Sequence, residues 1–198
     1  EVMVVFAGQV AVLLGHALLC EESAQAEQQA QRLMEFLGEV CRGDLKSPRA
    51  LIAAVANGGM DLVEADRCSF YLKDDGSGDL WSLSGGAEGD VQHFPLDAGI
   101  LGFVATRGET INVADAAADP RFDKSHDLRS GYETKTLLCM PLADAAGNLV
   151  AVIQFLNKLG GGAFQTRDED TIRRMAGVLG PLVATMPNGA SGGDSISM

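Results

Sequence analysis

Asn157 and Lys158, then Phe164, then Asp168 and Glu169 form the spacing richest in chemistry. They straddle a glycine-rich gap between an apolar run, 149–156, and the start of a helical pattern. A lysine ammonium and an aspartate carboxylate placed on the two sides can pair across the turn and lock strand to helix. As an exposed pair this contributes at most about 1 kcal/mol, and exchanging the two charges should be tolerated better than losing one. Thr166 and Glu169 carry the Ser/Thr-x-x-Glu spacing in which each side chain satisfies a free amide at a helix N-terminus.

A second feature is Gly99 and Gly102, which open an apolar run over 99–107 with Asp97 just before it. A helix beginning there offers free amides and the positive end of its dipole to an anion, and the glycines would let a ligand approach the backbone. The competing reading has Asp97 capping the same amides and the glycines serving plain turns. Other reactive side chains form no constellation. His16, His93 and His126 are scattered without the carboxylate spacing of a metal site. Cys20, Cys41, Cys68 and Cys139 contain no Cys-x-x-Cys pair and read as reduced thiols of a cytoplasmic protein, with Cys139 in a strand core. Arg173-Arg174 reads as a wet helix face. No catalysis is visible.

These residues need elements to position them. A long helical pattern runs from about residue 5 to 40 without proline. Val12, His16, Leu19, Ser23, Ala26, Ala30, Leu33, Leu37 and Val40 alternate at four- and three-residue spacings, the seam of a parallel coiled-coil dimer. Such a helix reaches roughly 50 Å, and Gly43 ends it. The alternative is a single helix lying on its own domain. Ser47 as N-cap and Pro48 at the first position begin a second helix, to about 63.

Strands follow at 68–72, 80–83, 91–96, 110–113, 136–142 and 149–156. A short helix over 99–107 interrupts them, and 114–130 reads as a charged loop. The closing helix, 167–186, is broken at Gly180-Pro181. The pattern predicts an α+β fold: about six antiparallel strands with helices on both faces.

Composition bounds the rest. The chain has 198 residues, 46% of them hydrophobic, enough for one ordinary core plus an extension. A net charge of −12 argues against a nucleic-acid partner. Gln9 and His16 interrupt the apolar stretch 2–20, which reads as a packed helix rather than a membrane span. Starting at Glu1 without a methionine, the chain reads as a piece of a longer protein. The small, polar stretch 188–198 reads as disordered.

The Asn-Lys…Phe-x3-Asp-Glu spacing resembles the signature of GAF domains in cyclic-nucleotide phosphodiesterases and some adenylyl cyclases. Further pieces lie in register with it. Ala65-Asp-Arg-Cys-Ser-Phe-Tyr-Leu72 resembles the first strand of that family, and Gly99-Ile-Leu-Gly-Phe-Val104 its pocket helix. Asn112-Val-Ala-Asp-Ala116 with Asp119-Pro-Arg-Phe122 is similar to its lid, followed by Ser130-Gly-Tyr-Glu-Thr-Lys135 and Leu137-Leu-Cys-Met-Pro141. Phe6-Ala-Gly-Gln-Val-Ala-Val12 resembles the closing helix of a preceding GAF domain, which would make this the second of a tandem.

The resemblance implies a cAMP or cGMP ligand. It places the phosphate at Gly99, Ile100 and Leu101, and Ser69 and Gln154 at the purine edge. Asp123, Asp127, Ser130 and Thr134 fall on the lid side. Asn157, Lys158, Phe164, Asp168 and Glu169 prop the pocket up without touching the ligand. It further implies a regulatory module with no cofactor, a homodimer through the N-terminal helix, no membrane partner, and an effector domain outside the chain. The layout is a connecting helix at 1–46, the GAF domain at 47–186 and a tail at 187–198. The sequence departs at Ser84-Gly85-Gly86, shorter than usual where the family often holds the purine with an aromatic-Asp pair. The alternative is an unliganded dimerisation module. A sulfoxide reductase ranks far behind, because Cys139 has no evident resolving partner.

Overall fold

The computed structural model describes residues 2–43, 47–84, 87–97 and 99–186. Helix α1 (Val2–Arg42) leads into α2 (Pro48–Leu62), where Ser47 Oγ accepts from the Ala50 amide and Pro48 sits in the first turn. This is the cap read from the sequence. Strands β1 (Ala65–Lys73), β2 (Leu80–Ser84) and β3 (Asp90–Phe94) follow, then α3 (Gly99–Arg107), β4 (Ile111–Val113) and the short α4 (Ser125–Ser130). β5 (Leu137–Ala143), β6 (Leu149–Lys158) and α5 (Thr166–Val183) complete the order.

The six strands form one antiparallel sheet in the order β3-β2-β1-β6-β5-β4, so the last long strand lies beside the first at its centre. Period-two alternation gives the sheet two apolar faces. Phe70, Leu72, Leu138, Met140, Ile153 and Phe155 meet the helices α1, α2 and α5. Tyr71, Leu137, Cys139 and Val152 turn the other way and pack with Ile100 and Val104 of α3. Helices therefore cover both faces, as the strand and helix pattern predicts.

Four details differ from the sequence reading. Thr166 is the first residue of α5 rather than its cap. The cap is Gln165, whose backbone amide donates to Asp168 Oδ2 at 2.8 Å, so the reciprocal box lies one residue earlier than Thr166 and Glu169. The closing helix also runs through Gly180-Pro181 unbroken. Pro181 falls in its final turn, where it forfeits one intrahelical bond but leaves only two further residues of helix to carry. Gly180 has a packing cause: a Cβ there would stand 2.1 Å from the Ala143 carbonyl oxygen of β5. The 114–130 stretch is not all loop, since it contains α4, closed by Gly131 at φ 69°.

The fourth difference concerns the seam along α1. Leu33 and Val40 are buried in this chain's own core with Phe36, and Leu37 packs partly against it. Phe36 lies so close to α2 that a Cβ at Gly58 would meet its ring at 2.8 Å. Ser23, Ala26 and Ala30 are exposed. The C-terminal turns of α1 thus lie on their own domain, the alternative to a seam continuous through Leu33 and Val40. The side chains of Val12, His16 and Leu19, the Gly85-Gly86 stretch and the tail 187–198 lie outside the described residues.

Candidate ligand site

The signature residues sit where the sheet, the lid and the closing helix meet. Asn157 ends β6 in the left-handed region, φ 55°, which asparagine tolerates better than most residues. Its Oδ1 accepts from the amides of Lys135 (2.7 Å) and Thr136 (3.2 Å), and its Nδ2 donates to the Tyr132 hydroxyl (2.9 Å) and the Glu133 carbonyl (2.8 Å). One carboxamide therefore clamps the whole segment that carries the lid back to β5.

Lys158 is buried rather than exposed. Its Nζ lies 3.1 Å from Asp168 Oδ1, donates to the Val63 carbonyl at 2.8 Å and reaches Glu64 at 3.5 Å, with the Lys158 and Asp168 side chains 7% and 2% exposed. The turn is locked as the spacing suggests, but inside the protein and with backbone partners on both sides. Glu169 Oε1 and the Phe164 carbonyl both accept from Asn112 Nδ2 at 2.8 Å, which fastens β4 and the root of the lid to α5. Phe164 itself is buried beside Phe155.

The lid spans β4 to β5 and folds around a cleft of about 700 Å³ lined by its own residues, within 114–135. Its lining includes Ala114, Asp115, Phe122, Lys124, Asp127, Leu128, Tyr132, Thr134 and Lys135. Asp127 and Thr134 hold each other: Asp127 accepts from the Thr134 amide at 2.7 Å and from its hydroxyl at 3.0 Å. Asp123 accepts from the Ser125 amide and hydroxyl, and Ser130 Oγ from the Tyr132 amide, so both shape the turns flanking α4. Asp119 and Arg121 form a close ion pair at 2.6 Å, with the Arg121 guanidinium over the Phe103 ring of α3. The hydrogen bonds from Arg121 hold the Asp119 carboxyl below its ordinary value.

Ser69 and Gln154 face each other across β1 and β6, with Cys139 completing the row on β5. Ser69 and Gln154 are half-buried. The Tyr71 hydroxyl donates to Gln154 Oε1 at 3.2 Å, and the Tyr71 ring meets Phe94 edge-on. Burial pushes the Tyr71 phenol and the Cys139 thiol up, so both stay protonated and Cys139 is an inert core thiol. Gly99, φ 68°, lies under the Arg121 carbonyl, while Ile100 is buried and Leu101 half-buried. Gly102 answers to packing: a Cβ there would stand 2.6 Å from the Leu96 carbonyl oxygen, so that oxygen, not a ligand, uses the space.

Of the contacts expected from the sequence, only Asp127 and Thr134 line the lid cleft. Ser69 and Gln154 lie on the paired central strands β1 and β6, and Gly99, Ile100 and Leu101 at the start of α3, outside the cleft lining. Lys124, Lys135 and Phe122 are lining residues the sequence reading gave no role. Phe122 and Lys135 lie at the ends of matched motifs, but nothing in their spacing marks a ligand contact. Among the described residues, no group of three or more His, Cys, Asp and Glu is placed to hold a metal ion. No described helix is long and apolar enough to cross a membrane.

One antiparallel sheet with helices on both faces and a clefted lid between β4 and β5 define a class of small α+β domain. A family model described as GAF domain matches residues 47–180, and the chain belongs to that family. It is 36% identical over 162 residues to a Caenorhabditis elegans protein named "Probable 3',5'-cyclic phosphodiesterase pde-5", covering 74% of this chain and 22% of that one. It is 37% identical over 128 residues to "Dual 3',5'-cyclic-AMP and -GMP phosphodiesterase 11A" of Takifugu rubripes, covering 58% of this chain and 14% of the relative. The chain thus spans about a fifth or less of these relatives. The fold is also that of a GAF domain from a Coxiella burnetii phosphoenolpyruvate-protein phosphotransferase, with TM-score 0.67 and 22% identity over 80% of this chain and 94% of that one.

Proposed function

We propose that this chain is a regulatory, cytoplasmic ligand-sensing domain that binds cAMP or cGMP beneath its lid and signals through its terminal helices. The observation that carries this is the Asn157 clamp, which holds one wall of a nucleotide-sized cleft in place. The cleft lining carries Lys124 and Lys135 beside Asp115, Asp127 and Glu133, with Lys135 paired to Glu133 at 3.3 Å, so the support for the ligand class comes from the relatives, which are named as phosphodiesterases of 3',5'-cyclic nucleotides. Ser69 and Gln154 would read the purine edge, and Gly99, Ile100 and Leu101 would receive the phosphate. Asp123, Asp127, Ser130 and Thr134 would close from the lid. Ligand binding would shift the lid between ordered and open populations.

The layout is a connecting helix at 1–46 and the sensing domain at 47–186, the second of a tandem, with two copies joined along α1. A phosphodiesterase or cyclase domain would lie outside this chain. Neither nucleic acid nor membrane is a partner in this reading, consistent with the net charge of −12. Calorimetry on the folded protein is expected to show micromolar or tighter binding of at least one of the two nucleotides. Thr134→Ala should weaken it roughly tenfold by removing a hydroxyl that also orders Asp127. No heat with either nucleotide removes the reading.

A second reading, an unliganded dimerisation module, draws on the floor of the site. Tyr71 already engages Gln154 and meets Phe94 edge-on, and the Gly99 turn lies under the Arg121 carbonyl. Melting curves discriminate: saturation at a hundred times Kd adds about 2.7 kcal/mol, a shift of several degrees, whereas the module reading expects none.

A further inference from the structure

We propose that Tyr132 is the positioning residue of the lid, a latch whose hydroxyl ties the segment 131–136 to the start of β1. Its Oη donates to Asp66 Oδ2 at 2.6 Å and accepts from Asn157 Nδ2 at 2.9 Å. The Arg67 guanidinium carbon lies 3.7 Å from the ring centroid, so the ring is held as well as its hydroxyl. Burial first, and the Asp66 carboxylate second, push the phenol up, which keeps its proton available to donate.

Tyr132 is also among the residues lining the lid cleft. Two residues further on stands Thr134, whose amide and hydroxyl hold Asp127 of α4. Tyr132 therefore couples three parts: β1 through Asp66, β6 through Asn157, and the lid helix through the short chain to Thr134. Asn157 anchors the segment through its backbone. Tyr132 adds the connection to β1. With that bond closed, Thr134 and Asp127 keep their places without a ligand. With it open, the lid wall is held from β6 alone. The latch lowers the population of the open lid, and a bound molecule then escapes more slowly than it would with the latch broken. The part of this inference that concerns a ligand rests on the sensor reading; the ordering of the lid does not.

Hydrogen exchange on the unliganded protein tests the ordering. Tyr132→Phe keeps the ring under Arg67 and deletes only the hydroxyl; Asp66→Ala deletes its acceptor. Each should speed exchange of amides in 114–135 roughly tenfold while β6 amides keep their protection. The double variant should exchange no faster than Tyr132→Phe alone, because the bond that Asp66→Ala breaks is already absent there. Unchanged lid exchange in Tyr132→Phe, or a double variant that adds the two effects, overturns the latch.

Stopped-flow with fluorescent cAMP and cGMP tests the ligand arm. Dissociation from Tyr132→Phe should quicken roughly tenfold with association little altered. Faster lid exchange with unchanged dissociation removes the positioning role. Faster lid exchange in a protein whose wild type binds neither nucleotide upholds the latch and removes the sensor reading.

Discussion

Asn157 fills all four hydrogen-bonding directions of its carboxamide on 132–136, which is why that position demands an amide rather than a carboxylate. An aspartate there would offer no donor to the Glu133 carbonyl. Asp119 works by charge instead. The Arg121 hydrogen bonds lower its folded-state pKa, so its contribution is complete above the ordinary carboxylate value of about 3.9 and is lost as pH falls through the lowered one. The stability gap between wild type and Asp119→Asn should stay constant from about pH 7 to 5 and close below about pH 4. Urea titrations across that range measure it. Asp144, lowered chiefly by Asn148, has the same sign in both proteins and cancels in the comparison.

At the scale of elements, closeness of approach sets the tolerances. Gly180→Ala drives a methyl into the Ala143 carbonyl at 2.1 Å, and α5 has to lift from β5. A loss of about 2–3 kcal/mol in denaturant unfolding is expected. The Lys158–Asp168 link is likewise more than a surface pair. Asp168→Ala leaves the buried ammonium with only the Val63 carbonyl and the more distant Glu64 carboxylate, and should cost about 3 kcal/mol. Exchanging the two charges rescues nothing, because the Val63 carbonyl then faces a carboxylate and the Gln165 amide loses its acceptor. A swapped variant as stable as wild type would refute that account.

These cases mark how far the sequence could be read. The antiparallel strands with helices on both faces followed from alternation and turn residues, and the α2 cap followed from Ser47-Pro48; the order that sets β6 beside β1 did not. The Lys158–Asp168 pairing was visible as spacing, but its burial was not, because neither residue type reports its depth. Helix α4 was missed among charges, although Gly131 just past its end is a stop signal. Gly180-Pro181 read as a break because the contact that requires Gly180 comes from Ala143, remote in sequence. The lysines of the cleft stayed hidden for the same reason: only the folded lid brings Lys124 and Lys135 to one cavity.

For the whole molecule, the faces of α1 decide how two copies would join. Leu33, Phe36 and Val40 are claimed by the core. On the remaining surface, Ala30 and Cys41 are exposed, Met34 is 74% exposed and Leu37 is partly buried. Ala26, Ala30, Met34, Leu37 and Cys41 recur at three- and four-residue spacings, and among the described side chains of α1 the proposed dimer seam would run through them, one position round from Leu33 and Val40. A parallel pairing in register brings the two Cys41 side chains face to face across that seam. With Cys20, the other exposed thiol on α1, replaced by serine, mild oxidation should then yield a covalent dimer, and Cys41→Ser should abolish it. Met34→Asp should separate the copies in sedimentation while each domain keeps its fold, because the residue is exposed and absent from the core. Cross-linking lost with Cys41→Ser and sedimentation split by Met34→Asp place the seam on this stripe. A protein that sediments as a monomer at every concentration removes the dimer, and one that stays dimeric yet never cross-links removes the parallel register.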